Sequence, residues 1–233
     1  MTIFITRPAP DAERTVDALR AEGIEAEAAP LMNISFADKA LPKIPENALL
    51  AFTSANGVRA WVSAGGPALP VFAVGDATAN SAAELGLPIE GIASGDVEAL
   101  FILLDAEAAG RSILHVRGQQ AIGNLCDRLG EAGHSTVSLP LYEAVAAPKL
   151  PPNLKAALER EVHAVGIFSP RSMKLFLDLV EAEGLTPRLT ALDAICLSPA
   201  VAEIGKSSGF RSVHVAERPE LSAFVDTARL RRT

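Results

Sequence analysis

The chain has 233 residues, of which 49% are hydrophobic and 21% are charged, enough to bury one large core or two smaller ones. Its formal net charge is −7 and its one basic cluster is the tail ARLRRT (228–233), so no nucleic-acid partner is predicted. The start, MTIFITRPAP, lacks the basic segment of a signal peptide, and no run approaches the roughly 20 apolar residues of a membrane span. We therefore expect a cytoplasmic protein without a membrane partner.

Short apolar runs alternate along the chain with longer segments of helical spacing. In chain order the runs are TIFI (2–5), LLAF (49–52), PVFAV (70–74), SILHV (112–116), HAVGIF (163–168), DAICL (193–197) and SVHVA (212–216). Continuous apolarity is typical of strands that are covered on both faces. The sequence therefore predicts an α/β fold with parallel sheets and helices on both sides.

A segment near the start of the chain recurs in register 110 residues later. Gly133 follows Gly23 at this distance, and Pro140 follows Pro30. Further along, FTSANGVRAW (52–61) resembles FSPRSMKLF (168–176), and VGDATANSAAELG (74–86) resembles LSPAVAEIGKSSG (197–209). These matches indicate that the chain consists of two copies of a half of about 110–120 residues. The spacing alone suggests two consecutive domains with a boundary near Gly110.

Polar residues follow several of the predicted strands where a helix is expected to begin. Ser169-Pro170 and Ser198-Pro199 have the pattern of an N-cap serine before a proline at the first helical position. Ser54 and Asp76 are also predicted as caps, and Arg7-Pro8 is predicted to open the first helix. Helix N-termini at the carboxyl edge of a parallel sheet present unpaired N–H groups that bind anions. The alternative, that these residues are only caps, stays open at this point.

The sequence contains no motif for several other common kinds of site. Cys126 and Cys196 stand alone in apolar patterns, which is typical of reduced core thiols, and no CxxC or HxxxH spacing predicts a metal site. The histidines are scattered singly and are predicted to be structural: His115, His134, His163 and His214. The chain has no GxGxxG after a strand, no GxxxxGK[ST] and no GxSxG, so nucleotide and hydrolase readings lack support.

Seven segments, in the same order and over nearly the whole chain, resemble uroporphyrinogen-III synthases: ITRP, FTSANGV, VGDATANSAAELG, RGQQAIGNL, PLYEAV, FSPRSMKLF and SPAVAEIGKSSGF. The resemblance implies two flavodoxin-like α/β domains joined by a two-stranded β-ladder, with the active site in the cleft between them. It implies a lyase without cofactor or metal, expected to be a monomer, that acts on the linear tetrapyrrole hydroxymethylbilane. The family removes water from this polyanion and closes the ring with inversion of the last pyrrole, giving uroporphyrinogen III for heme or siroheme synthesis.

The resemblance also changes the expected domain organisation. It implies that the chain crosses between the domains at Pro30-Leu31 and Pro140-Leu141, so that the first strand and helix of each half are exchanged. The predicted domains are therefore 1–32 with 147–233, and 38–139. The predicted linker strands are 33–37 and 140–146.

The family's site residues are transferred to this chain by their motifs. Tyr142 matches the tyrosine beside the linker and Thr78 matches the threonine of the VGxAT turn, and both are predicted to be catalytic. Tyr142 could instead be an aromatic packed against the ladder. Main-chain groups at the helix starts, together with local arginine charges, are predicted to bind the substrate's carboxylates. The predicted binding residues are Arg7, Thr53, Ser54, Gly75, Arg117, Gly118, Ser169, Arg171, Ser198, Ala200 and Val201.

One turn departs from the family pattern. Ser198-Pro199-Ala200-Val201 stands where the family commonly has glycine, proline and two threonines, so the second threonine hydroxyl is missing. This departure keeps open a non-catalytic ligand-binding or regulatory protein on the same scaffold. A flavodoxin-like redox protein is also open, although no aromatic-rich flavin loop is evident.

Overall fold

The computed structural model describes residues 2–120, 124–160 and 164–230, and the chain divides into two compact units. Unit 1 comprises residues 1–33 and 145–233, and unit 2 comprises residues 34–144. Each unit is built on a mainly parallel sheet with helices on both faces. The predicted α/β class is thereby confirmed.

The elements alternate between strand and helix along most of the chain. The strands are β1 (Thr2–Ile5), β2 (Glu25–Ala28), β3 (Met32–Phe36), β4 (Ala48–Phe52), β5 (Val71–Ala73), β6 (Ile89–Ile92), β7 (Ser112–Gly118), β8 (Ser135–Ala146), β9 (Ala164–Ile167), β10 (Asp193–Cys196) and β11 (Ser212–Val215). The helices are α1 (Asp11–Ala21), α2 (Ala55–Ser63), α3 (Asp76–Glu84), α4 (Val97–Glu107), α5 (Leu125–Glu131), α6 (Pro152–Glu159), α7 (Pro170–Ala182), α8 (Pro199–Gly205) and α9 (Leu221–Arg229). A 3-10 helix, Thr186–Ala191, precedes β10.

The sheet of unit 1 has the strand order β11-β10-β9-β1-β2, and all four neighbouring pairs are parallel. Successive side chains along β1 enter different cores, because neighbouring residues of a strand point to opposite faces. Phe4 belongs to the core beneath α6, α7 and α8, whereas Ile3 and Ile5 belong to the core beneath α1 and α9. Both faces of β1 are therefore buried, as its apolar sequence predicts.

The sheet of unit 2 has the order β3-β8-β7-β4-β5-β6. β4 pairs in parallel with β5 and β7, and β7 pairs in parallel with β8. On β4, Leu50 and Phe52 face one core, while Leu49 and Ala51 face the other. In unit 1, numbering β1, β2, β9, β10 and β11 from one to five gives the spatial order 2-1-3-4-5, which is the flavodoxin-like order. Unit 2 has the same order when β7 and β8 are counted first and second, and β4, β5 and β6 third to fifth.

Two segments that neighbour each other in this sheet, β3 and β8, include the chain's passages between the units. Ala37 N–H donates to Leu141 O at 2.8 Å, and Ala147 N–H donates to Leu31 O at 2.8 Å. The two segments therefore run antiparallel to each other.

The prediction that Arg7-Pro8 opens the first helix is wrong. The helix begins at Asp11, with Pro10 at the N-cap position. A residue that precedes proline is disfavoured in helical conformation, so Ala9 before Pro10 delays the start.

The cysteines and most of the histidines that the sequence predicts to be structural can be placed. Cys126 and Cys196 are free thiols, and burial raises the pKa of the Cys196 thiol to about 12. His134 Nε2 lies 2.9 Å from Asp105 Oδ1 and His214 Nε2 lies 2.8 Å from Ser212 Oγ, while His163 lies outside the described residues. Within the described ranges, no group of three or more His, Cys, Asp or Glu residues is suited to hold a metal ion, and no helix is long and apolar enough to cross a membrane.

His115 is a buried polar residue on the central strand β7. Its Nδ1 lies 3.7 Å from Cys126 Sγ, and its Nε2 has no hydrogen-bond partner in the described part of the chain. Burial, with a smaller contribution from the Arg117 charge, lowers the pKa of His115 to about 4. The folded unit therefore holds this imidazole in its neutral form at neutral pH.

We predict that unit 2 loses stability as the pH falls below the ordinary histidine pKa of about 6.5. The unfolded chain then binds a proton at His115 that the folded unit binds only near pH 4, so the free energy of unfolding falls through this window by up to about 3 kcal/mol. Between pH 7 and pH 5 we expect about 2 kcal/mol of this loss. Urea unfolding followed by the fluorescence of Trp61, the single tryptophan, measures it, since Trp61 is buried in unit 2.

The matched variant is His115→Leu, which removes the titrating group and its unpartnered nitrogen. The difference in unfolding free energy between the parent protein and this variant should change by about 2 kcal/mol between pH 7 and pH 5. The same pH dependence in both proteins would contradict the assignment to His115.

Candidate active site

One edge of the unit 2 sheet collects most of the residues predicted for this unit. The strands β8, β7, β4 and β5 are consecutive neighbours and run in parallel, so their carboxyl ends meet at the same edge. Thr53 and Ser54 follow β4, Gly75 follows β5, Arg117 and Gly118 end β7, and Tyr142 lies on β8.

The start of α2 is a capped and closely packed helix terminus. Ser54 is its N-cap, and Gly57 N–H donates to Ser54 Oγ at 3.3 Å. No acidic residue lies in the first turn, so no local negative charge opposes the positive end of the helix dipole. A Cβ added at Gly57 would lie 3.0 Å from the carbonyl oxygen of Val116, which shows that the first turn of α2 lies directly against β7.

Tyr142 combines a packed ring with a polar contact at its tip. The half-buried ring packs against the apolar core on the α2 and α3 face of the sheet, and its hydroxyl oxygen lies 2.8 Å from Ser54 Oγ. Gln119 N–H donates to Tyr142 O at 2.8 Å. The expectation that this aromatic packs against neighbouring strands and the expectation that its phenol serves a site are therefore compatible.

Gly118 leaves the space that the Tyr142 ring occupies. A Cβ at this position would lie 3.1 Å from Tyr142 Cε2 and 3.2 Å from Tyr142 Cζ, which is tighter than most side-chain contacts. The register between β7 and β8 also shifts here, since Arg117 faces Pro140 while Gly118 faces Tyr142. The sequence names Ser54, Gly118 and Tyr142 as separate candidates, and the structure shows that Tyr142 contacts both of the others.

The start of α3 differs from the prediction. Asp76 is not the cap: Gly75 is the N-cap residue, with extended backbone, and Asp76 is the first helical residue. Gly75 fits this place because a Cβ there would come within 3.3 Å of the Gly95 backbone. Thr78 is 5% exposed, and its N–H donates to Gly75 O at 3.1 Å. The Asp76 carboxylate lies in the first turn, where its charge opposes an incoming anion.

Arg117 is held along the end of β7. Its Nε donates to Ser138 Oγ at 2.7 Å, and its Nη1 donates to Gly118 O at 3.1 Å. Ser138 lies on the neighbouring strand β8 and is not among the residues that the sequence predicts for the site. Because Arg117 is only partly exposed and two of its donors are engaged, it offers a fixed positive charge rather than a freely moving one.

Unit 1 presents a similar edge of its own. Arg7 follows β1, Ser169 follows β9 and Ser198 follows β10, and these three strands are parallel neighbours. The guanidinium of Arg7 lies 4.9 Å from the centre of the Phe168 ring, and its Nη2 lies 3.5 Å from Asp11 Oδ2.

The two serine caps of this edge are not equivalent. Ser169 caps α7, since Ser172 N–H donates to Ser169 Oγ at 3.1 Å. Ser198 occupies the N-cap position of α8, but its side chain makes no cap hydrogen bond. Arg171 and Ala200 are exposed in the first turns of these helices, whereas Val201 is buried and its N–H donates to Ser198 O at 3.1 Å.

The helix starts of the two units differ in the number of donors they offer. α7 and α8 begin with Pro170 and Pro199, which have no N–H, whereas α2 and α3 begin with Ala55 and Asp76, which do. Of these four helix starts, only that of α2 has both an N–H group at every position of the first turn and no acidic residue there.

Comparison with known proteins gives one consistent result. The family model described as "Uroporphyrinogen-III synthase HemD" matches residues 13–226. A uroporphyrinogen-III synthase from Chlorobaculum parvum is 26% identical over 205 residues, which cover 79% of this chain and 81% of that protein.

Two solved structures share the fold. A uroporphyrinogen-III synthetase from Helicobacter pylori superposes with a TM-score of 0.67 at 22% identity, covering 99% of each chain. A mutant uroporphyrinogen III synthase from Thermus thermophilus gives a TM-score of 0.55 at 19% identity, covering 98% of each chain.

The unequal caps lead to a stability prediction. We expect Ser54→Ala and Ser169→Ala each to lower the unfolding free energy by about 1 kcal/mol, because each removes an oxygen that accepts a helix N–H. Ser198→Ala should cost less than about 0.5 kcal/mol, since no such bond is lost. Denaturant unfolding followed by circular dichroism compares the three. A loss at Ser198→Ala equal to the other two would contradict the geometry.

Proposed function

The chain belongs to the uroporphyrinogen-III synthase family, cyclising lyases of tetrapyrrole synthesis, and we propose from this membership that its substrate is hydroxymethylbilane. The observation behind the proposal is that the family match runs from residue 13 to residue 226 and so includes parts of both units. The proposed product is uroporphyrinogen III.

The proposed reaction begins with loss of the hydroxyl from the hydroxymethyl group on the first ring. A proton is delivered to this oxygen as the carbon–oxygen bond breaks, water leaves, and an azafulvenium cation remains. The substituted α-carbon of the last ring attacks the cation to give a spiro intermediate, which fragments and recloses with that ring inverted. Loss of a proton restores the aromatic pyrrole, so the overall change is release of one water.

Closure without inversion competes with this route, so the protein must hold the flexible chain in one conformation. We propose that the substrate's carboxylates bind main-chain N–H groups at the helix starts, above all at α2, with local charges from Arg7, Arg117 and Arg171. The net charge of −7 opposes a polyanion at long range, and these local donors offset it. A charged hydrogen bond contributes about 1.5–3 kcal/mol when it is dry and less when it is exposed.

We propose Tyr142 as the proton donor to the departing hydroxyl. A phenol has a hydrogen that it can donate, and Tyr142 is the single tyrosine of the chain. Its counterpart in the first copy is Met32, which has no proton to donate and is buried. The two copies are thus chemically unequal where an asymmetric reaction needs one donor.

Thr78 is retained as a second candidate in the proposal. Since its side chain is buried, we propose that it acts from the inner side of α3 by holding the turn from Gly75 to Thr78. A cytoplasmic location, a monomeric state and activity without a cofactor stay predictions from the sequence.

The function is tested by the isomer ratio of the product. Incubated with hydroxymethylbilane, the protein should give predominantly the isomer with the inverted ring, whereas the substrate alone closes without inversion. Chromatography of the oxidised porphyrins separates the two isomers. A ratio equal to that of the uncatalysed reaction would favour the non-catalytic binding protein instead.

We predict that Tyr142→Phe lowers the rate of dehydration by about 10- to 100-fold, because it removes the proton donor and keeps the packed ring. The unfolding free energy should change little, since the lost bond to Ser54 is half-buried. Stopped-flow measurement of substrate loss gives the rate. Full activity in this variant would reduce Tyr142 to a packing aromatic.

A further inference from the structure

The hydroxyl of Ser54 lies between a helix terminus and the phenol of Tyr142. Ser54 Oγ accepts from Gly57 N–H at 3.3 Å and lies 2.8 Å from Tyr142 Oη. A serine hydroxyl has one hydrogen to donate and two positions at which it accepts. With one acceptor position used by the helix, the hydrogen of Ser54 is available to the phenol oxygen.

We propose that Ser54 is a positioning residue for the reaction, which donates its hydrogen to Tyr142 Oη and so turns the phenol hydrogen toward the departing hydroxyl. The 2.8 Å separation fits donation in either direction, and the surroundings favour this one. Donation by Gly57 N–H into Ser54 Oγ, at the positive end of α2, polarises the serine O–H and makes it a stronger donor.

The same arrangement stabilises the state that proton transfer creates. When Tyr142 gives its proton to the leaving oxygen, the phenol becomes a phenolate, and a hydrogen bond from Ser54 becomes charge-assisted and therefore stronger. The proton lost later from the last ring restores the phenol. This inference rests on the proposed function, because it assigns Ser54 a role only through the proton donor.

Both partners of the hydrogen bond are fixed by packing. The Tyr142 ring lies against Gly118, where an added Cβ would come within 3.1 Å of the ring, and Gln119 N–H holds the Tyr142 carbonyl. On the other side, the close approach of Gly57 to the Val116 carbonyl fixes α2, and hence Ser54, against β7. The 2.8 Å contact therefore follows from the packing of three adjacent strands, β8, β7 and β4.

The test is a double-mutant cycle on Ser54 and Tyr142, with kcat and KM measured separately. We expect Ser54→Ala to lower kcat by about 3- to 10-fold, the range of one net hydrogen bond, with KM changed less than about 2-fold because the main-chain N–H groups remain. Ser54→Thr, which keeps the hydroxyl, should retain most of kcat. In the Tyr142→Phe background, Ser54→Ala should have less than about a 2-fold further effect.

Loss of the helix cap is controlled by Asp96→Ala. Asp96 caps α4 in the same unit, since Ala99 N–H donates to Asp96 Oδ1 at 2.7 Å, and no contact joins it to Tyr142 among the described residues. This variant should lose comparable stability while kcat stays unchanged. A fall in kcat equal to that of Ser54→Ala would attribute the effect to cap loss and overturn the proposal.

A second route to the same bond leaves the cap intact and serves if Ser54→Ala fails to fold. Gly118→Ala displaces the Tyr142 ring by a few tenths of an ångström, which should weaken its bond to Ser54 and lower kcat by about 3- to 10-fold. Three results would each overturn the positioning role. They are a fall in kcat in the Ser54→Ala/Tyr142→Phe double mutant equal to the product of the two single effects, an unchanged kcat in Gly118→Ala, and a change in KM alone. Failure of the proposed function is distinguished from these outcomes because the parent protein would then show no excess of the inverted isomer.

Discussion

The requirement that each parallel sheet be covered on both faces determines how this chain is organised. Neighbouring residues of one strand enter different cores, as Ile3 and Phe4 do in unit 1 and Leu49 and Leu50 do in unit 2. A strand of this kind needs a helix above it and a helix below it, so strands alternate with helices and pair in parallel. Parallel pairing in turn brings the turns that follow the strands to one edge of each sheet. Within each unit the candidate site residues lie at one edge of the sheet for this reason, whatever chemistry they perform.

The same requirement separates what the sequence predicts from what it does not. Central strands such as β4 are apolar throughout and could be recognised from composition, and the parallel α/β fold followed from them. The apolar pattern does not predict the edge strands β2 (EAEA) and β6 (IEGI). Each has a neighbouring strand on one side only and contains exposed or polar residues, so its sequence is not a continuous apolar run. A serine before a proline predicts the starts of α7 and α8. At α1 and α3 the helix begins differently from the prediction, because the local backbone is restricted at Pro10 and at Gly75.

Resemblance to a family made Tyr142 a candidate site residue, the cap pattern made Ser54 one, and the geometry shows that the two are in contact. Ser54 and Tyr142 are 88 positions apart, and their 2.8 Å contact brings together strands that are distant in the sequence, so no local motif predicts it. The two repeats predicted from the sequence differ at corresponding positions: Met32 is buried and Tyr142 is half-buried, and α7 and α8 of unit 1 begin with proline. The two units therefore share a strand order but differ in the groups at their helix starts.

The division of unit 1 between the two ends of the chain has a consequence for biosynthesis. In its sheet β1 lies between β2, which is synthesised soon after it, and β9, whose residue 164 pairs with Ile3. The whole of unit 2, residues 34–144, emerges from the ribosome before β9 exists. Until then β1 has one unpaired edge and its apolar face on the side of α6 and α7 is uncovered, and such nascent surfaces are prone to aggregate. The unit that begins first is therefore the unit that finishes folding last, after the ribosome has completed the C-terminal strands.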